Sequence, residues 1–210
     1  MKVLFVMVCA VCVACLGAVD AKADYKAGMQ AYQKGDFTRA LKEFKADKSK
    51  EAQFSLGVMY FKGQGVKANP QQSVEYFKKA AERGHANAAF LLGTIYDKGE
   101  SVARDVPVAA KWYRMAAENG HSEAQFNLGT MYTNGEGVDK NRKEAVKWLK
   151  KAASQGHARA GKLLGVMGEE IPKAARAAIE REKGMPARQS PIHGADGQMP
   201  AGQKPAGHPK

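Results

Sequence analysis

Cysteine is almost missing. Cys9, Cys12 and Cys15 are the only three in 210 residues, and all lie near the start of the chain. Past them, no disulfide framework, cysteine-ligated zinc site or cysteine nucleophile can form. No Asn-x-Ser/Thr sequon occurs, which leans towards a bacterial exported protein. Serines are sparse; Ser55, Ser73 and Ser122 sit in helix or cap contexts, without a Ser-His-Asp order around them. There is no phosphate-cradling glycine loop and no paired-carboxylate setting, so neither catalysis nor a cofactor is expected. Acidic residues are outnumbered, 21 against 33 basic, for a net charge of +12.

Long apolar runs are missing but for one, Val3 to Val19, behind the positive Lys2 and ahead of Ala21-Lys22-Ala23. That order predicts an export signal over 1–23, cleaved after Ala23, and a periplasmic or secreted protein that meets the membrane only in transit. The run is short for a bilayer, which needs about 20 residues. An uncleaved N-terminal anchor, or a lipid on Cys15 after Val13-Ala14, is the alternative.

What is present is a repeat. Gly57, Gly93, Gly129 and Gly165 lie 36 apart, as do Tyr60, Tyr96 and Tyr132, and the pairs Ala80-Ala81, Ala116-Ala117 and Ala152-Ala153. Gly84-His85, Gly120-His121 and Gly156-His157 follow the same ruler, with Tyr76, Trp112 and Trp148. So many columns in one register specify stacked repeats. Each unit reads as two helices. The first covers about Ala52–Phe61, Ala88–Asp97 and Ala124–Thr133, with Phe54, Leu56 and Met59 and their equivalents at helical spacing. Gly63, Gly99 and Gly135 end it with the left-handed cap that Gly adopts without a clash. Asn69, Asp105 and Asn141 cap the second helix, and Pro70 follows the first of them. A mid-helix glycine is unfavourable by about 1 kcal/mol against Ala. Its recurrence predicts a close aromatic neighbour, expected in the Tyr76, Trp112 and Trp148 column.

The pattern Ala-x-x-x-Leu-Gly-x-x-Tyr-x-x-Gly, followed by Ala-x-x-Trp-x-x-x-Ala-Ala-x-x-Gly-His, resembles the Sel-one-like repeat, a relative of the tetratricopeptide repeat. The resemblance covers 52 to about 166. It implies an all-α fold, a right-handed α-solenoid of helix-turn-helix units, whose members commonly act as adaptors in protein complexes. Hydrolase activity has been discussed for cysteine-rich members, a feature this chain lacks beyond its first residues. Ser101 replaces the second loop glycine seen at Gly65 and Gly137, so the middle loop is expected to differ.

The organisation expected is a signal segment (1–23), a degenerate leading helical hairpin (24–51), repeats over 52–185, and a disordered tail (186–210). The repeats divide as 52–87, 88–123, 124–159 and a partial 160–185 that ends in a polar capping helix near Pro172–Lys183. The tail has five prolines, four glycines and no aromatic residue, too little to offset ordering entropy.

His85, His121 and His157 in register suggest a metal site, but equivalent positions on successive helix pairs lie too far apart for one ion with bonds of about 2 Å. They are expected to be turn residues. Residues 134–141 carry oxygen ligands and glycines without the alternating carboxylates of a calcium loop, and Asn141 serves as a cap. No metal is expected.

Binding remains. The repeats differ at Ser55, Leu91 and Asn127, at Val58 against Thr94 and Thr130, and at Phe61, Asp97 and Thr133, all on the first helices. In a solenoid these varied columns are expected on the concave surface, where a protein or peptide partner would dock. The alternative is a basic outer column, Lys78, Arg114 and Lys150 with Lys147 and Lys151, facing an anionic envelope polymer. Nucleic acid is disfavoured by export and by the lack of exposed aromatics among the lysines. An envelope hydrolase is the least expected alternative.

Overall fold

The computed structural model describes residues 25–184. The predicted signal segment and the predicted tail lie outside them. Within them the chain is a right-handed α-solenoid of ten consecutive helices. A leading hairpin, α1 (Tyr25–Gln33) and α2 (Phe37–Ala46), precedes three equal pairs. These are α3 (Lys50–Lys62) with α4 (Pro70–Glu82), α5 (Ala86–Lys98) with α6 (Val106–Glu118), and α7 (Ser122–Asn134) with α8 (Arg142–Ser154). The short α9 (Ala158–Val166) and α10 (Lys173–Gly184) close the array.

The boundaries of the three equal pairs have local causes. Asn69, Asp105 and Asn141 accept the backbone N–H three residues on, at 3.0, 2.9 and 3.1 Å, and so start α4, α6 and α8. Gly63, Gly99 and Gly135 take the left-handed cap. Ser101 also has a positive φ, 67°, beside 69° for Gly65 and 67° for Gly137. The middle loop therefore keeps the backbone of its neighbours, contrary to expectation, and a side chain bears the strain that glycine avoids.

The starts of the first helices rest on an unexpected cap. The Nδ1 atoms of His85, His121 and His157 accept the N–H of Ala88, Ala124 and Ala160, each at 3.2 Å. In the first full unit Ser49 does the same for Ala52. Each imidazole also stacks on the phenylalanine of the helix pair it closes: His85 on Phe54, His121 on Phe90 and His157 on Phe126, with ring centroids 4.3, 4.3 and 4.7 Å apart. One residue thus starts a helix and joins two repeats.

The paired alanines are buried where helices approach. The glycine contact differs from expectation by one position. A Cβ on Gly57 would lie 2.5 Å from Phe77, one on Gly93 2.5 Å from Tyr113, and one on Gly129 2.8 Å from Leu149. The side chain pressed on the glycine is therefore one residue beyond the Tyr76, Trp112 and Trp148 column, a ring in the first two units and Leu149 in the third. Tyr113 is buried and Trp112 only half-buried; adjacent residues on a helix point about 100° apart, so only one can fill the gap.

The leading hairpin repeats this packing, with Gly28 against Phe44. Its second helix is shorter, 10 residues against 13 in α4, α6 and α8. At the other end Ala175 and Ile179 of α10 close over Gly161.

Candidate functional site

The first helices are nearly covered. On α5 and α7 the half-exposed Leu91, Thr94, Asn127 and Thr130 share one stripe, with Ser55 equivalent on α3. Leu91 packs its inner side on the core. Thr94 and Thr130 donate to Phe90 O and Phe126 O in their own helices, at 3.2 and 3.0 Å. Asp97 pairs with Arg104 of the following loop at 3.8 Å, and Arg104 Nε donates to the Asp97 carbonyl at 2.7 Å.

Tyr113 brings two of these residues together. From α6 its ring passes over Gly93, and its hydroxyl donates to Thr94 Oγ1 at 3.4 Å and bonds the Asn127 side chain. Burial pushes its pKa up, which the bonds to Thr94 and Asn127 oppose. The stripe is thus anchored at the seam between the second and third full units.

Sequence reasoning missed a second anchor. Glu123 on α7 accepts from His157 Nε2 at 2.8 Å and pairs with Arg159. Those two partners, the His157 bond foremost, push its pKa down to about 2. With Nδ1 accepting from Ala160, the His157 proton must sit on Nε2. Arg159 also lies over the Phe126 ring, 4.7 Å from its centroid. Asn87 stands in the Glu123 position one repeat earlier, so the pair does not recur from unit to unit.

The basic column is engaged. Lys78 bonds Glu75 at 3.1 Å and reaches Tyr96 of the next unit, contacts that raise its pKa, the Glu75 bond most. Arg114 bonds the Tyr132 hydroxyl, and Lys150 bonds Glu169 at 3.1 Å. Lys45, the matching residue of α2, lies 5.7 Å over the Tyr60 ring. Each cation therefore ties its own unit to the next. Lys147 pairs with Glu144 at 3.1 Å, and Lys151 sits 4.3 Å over the Trp148 ring.

Among the described residues, no group of three or more His, Cys, Asp or Glu is arranged to hold a metal ion. No described helix is long and apolar enough to cross a membrane. The profile of the Sel1 repeat matches 50–85, 86–121 and 122–157, three tandem units that together make up half of the chain.

The chain belongs to the Sel1 repeat family.

The matched Sel1 units begin with α3, α5 and α7, two residues ahead of the boundaries drawn from periodicity. A Sel1 repeat protein from Oxalobacter formigenes is 36% identical, with a TM-score of 0.62 over 66% of this chain and 42% of that one. The protein c5321, a protective antigen of uropathogenic Escherichia coli with an SLR fold, is 34% identical, with a TM-score of 0.60. That match covers 70% of this chain and 33% of c5321. The chain thus spans less than half the length of these relatives. Sel1 repeats generally mediate protein–protein interaction, and Sel1 proteins are generally non-catalytic scaffolds.

Proposed function

We propose that this Sel1 protein is a non-catalytic adaptor that docks a protein or peptide partner along the stripe of its first helices. One observation carries the reading. The constant Ala52/Ala88/Ala124, Leu56/Leu92/Leu128 and Gly57/Gly93/Gly129 columns are buried as core, while Ser55/Leu91/Asn127 and Val58/Thr94/Thr130 stay half-exposed and vary along the array. Stacked repeats offer an extended surface of this kind, on which each unit contributes different side chains to one ligand. The hydroxyl of Tyr113, bonded to Thr94, and the ion-paired Glu123 pre-organise polar groups of α5 and α7, which lowers the ordering entropy of binding.

The envelope is the proposed compartment, supported by the Lys2, Val3–Val19 and Ala21-Lys22-Ala23 pattern. A polyanion-binding role is the weaker reading, because Lys78, Arg114 and Lys150 already hold partners within the solenoid.

The test compares capture from the envelope fraction by wild type, by Leu91→Glu/Asn127→Ala, and by Lys147→Glu/Lys150→Glu/Lys151→Glu, at low and raised salt. Loss with the first variant and persistence in salt supports the stripe. Loss only with the charge reversals, mimicked by salt screening over about 8–10 Å, rejects it.

A further inference from the structure

The shortened α2 leaves a space. Phe44 of α2 and Phe77 of α4 are equivalent, since each packs on the glycine of its preceding helix. After Phe77 the helix continues through Ala80, Ala81 and Glu82, whereas α2 stops at Ala46 and the chain turns to extended backbone at Asp47. In the later units that last turn carries Ala116 and Ala117, or Ala152 and Ala153, all buried. Here its absence opens a cleft of about 430 Å³ between α2 and α4, with α3 as its floor.

The lining is strongly cationic. Lys45 and Lys48 stand on one side, Lys79 and Arg83 on the other, against Glu82 alone. Among the described residues no carboxylate lies within ion-pair distance of any of these four cations. Arg83 bonds only the Lys48 carbonyl, and Lys79 lies 5.2 Å over the Tyr76 ring. The floor is mixed: Leu56, and the amide of Gln53, which is 9% exposed.

The same seam two repeats later shows what is missing. Gln125, the equivalent of Gln53, donates to Ala117 O at 3.0 Å and accepts from Gln155 at 2.8 Å. Gln53 has only a long bond to Asp47 O, 3.4 Å, and the residue equivalent to Gln155 is Arg83. The Gln53 amide oxygen thus lines the cleft open to solvent, without a protein donor.

We propose that this cleft binds an acidic peptide segment: carboxylates between the two cationic rims, an apolar side chain against Leu56 and Tyr76, and a main-chain N–H on Gln53. Charge-assisted bonds to carboxylates supply the strong contacts. The apolar floor and the amide suit a peptide and offer nothing to an inorganic polyanion. The chain's own 186–210 segment is unsuited, since it carries Arg188, Lys204 and Lys210 against Asp196. The cleft lies away from the Leu91 and Asn127 stripe, so its failure would leave the adaptor reading intact.

The test is fluorescence anisotropy on the full chain with a fluorescein-labelled Glu-Glu-Glu-Phe peptide and its Gln-Gln-Gln-Phe counterpart. The acidic peptide is expected to bind at least about tenfold more tightly, a difference of about 1.4 kcal/mol. Lys79→Glu/Arg83→Glu should remove that preference, while Leu91→Ala/Asn127→Ala should leave it unchanged. Lys48→Glu, in the extended linker, replaces the double variant if circular dichroism shows that variant unfolded. Three results would overturn the proposal: no preference for the acidic peptide, equal binding by folded charge-reversed protein, or displacement by tripolyphosphate as effective as by unlabelled peptide.

Discussion

The hydroxyl of Tyr113 donates to Thr94 Oγ1 at 3.4 Å while its ring lies against Gly93 in the core. One side chain therefore joins the packing that defines the repeat to the stripe assigned to binding. Tyr113→Phe keeps the ring and removes the hydroxyl. It should lower stability by about 0.5–1.5 kcal/mol, the usual net value of one hydrogen bond, and weaken partner capture more than it lowers the melting temperature predicts. Unchanged capture would separate Tyr113 from the stripe.

Gly93→Ala places a methyl 2.5 Å from the Tyr113 ring, and overpacking of that kind costs about 1–3 kcal/mol. Gly165→Ala occupies the same column, yet its methyl meets only the flexible end of Ile171 at 3.2 Å. The first should destabilise and the second should be neutral or better, since Ala favours the helix by about 1 kcal/mol. Equal melting points for the two variants would refute the packing assigned to this column.

Most of this architecture was legible in the sequence because it repeats. The spacing of 36 exposes caps such as Asn69 and Gly63 directly, and the varied columns with them. What it hides lies between units. Tyr113 and Trp112 are both aromatic neighbours on one helix, and periodicity alone cannot say which turns towards Gly93. The His121–Phe90 stack joins two columns whose meeting depends on how the helices pack, and the Glu123–His157 pair follows no column, since Asn87 stands in the Glu123 position one repeat earlier. The cleft beside Lys79 arises from a helix three residues shorter, a length that is countable but whose consequence is three-dimensional.

Ser101→Gly should raise stability by about 1 kcal/mol, because it relieves a side chain held at φ 67°. Differential scanning calorimetry checks this. A lower melting temperature would mean that the serine makes compensating contacts.

Stability should fall in acid in two windows. Burial lowers the pKa of His85 and His121 below the ordinary 6.5, opposed by Glu51 at His85 and Glu123 at His121, with Lys50 reinforcing the shift at His85. Their helix caps also need an unprotonated Nδ1. The unfolded chain takes up protons first, so stability drops as pH falls from 6.5 towards the lowered native values and then levels for these groups. Glu123 contributes fully above 4.5 and loses its share as pH falls towards about 2. His121→Asn retains a good cap without titrating. Its melting temperature should fall less than that of wild type between about pH 7.5 and 5.5; superimposable profiles would exclude the histidine cap as the cause.

The most direct measurement is site-specific photo-crosslinking in the native host. A photoreactive residue replaces Asn127 on the first-helix stripe, or Lys111, exposed on the second helix α6. A discrete crosslinked partner from position 127, absent from position 111 and lost with Leu91→Glu, is the predicted result. Crosslinks from position 111 alone would contradict the assignment of docking to the first helices.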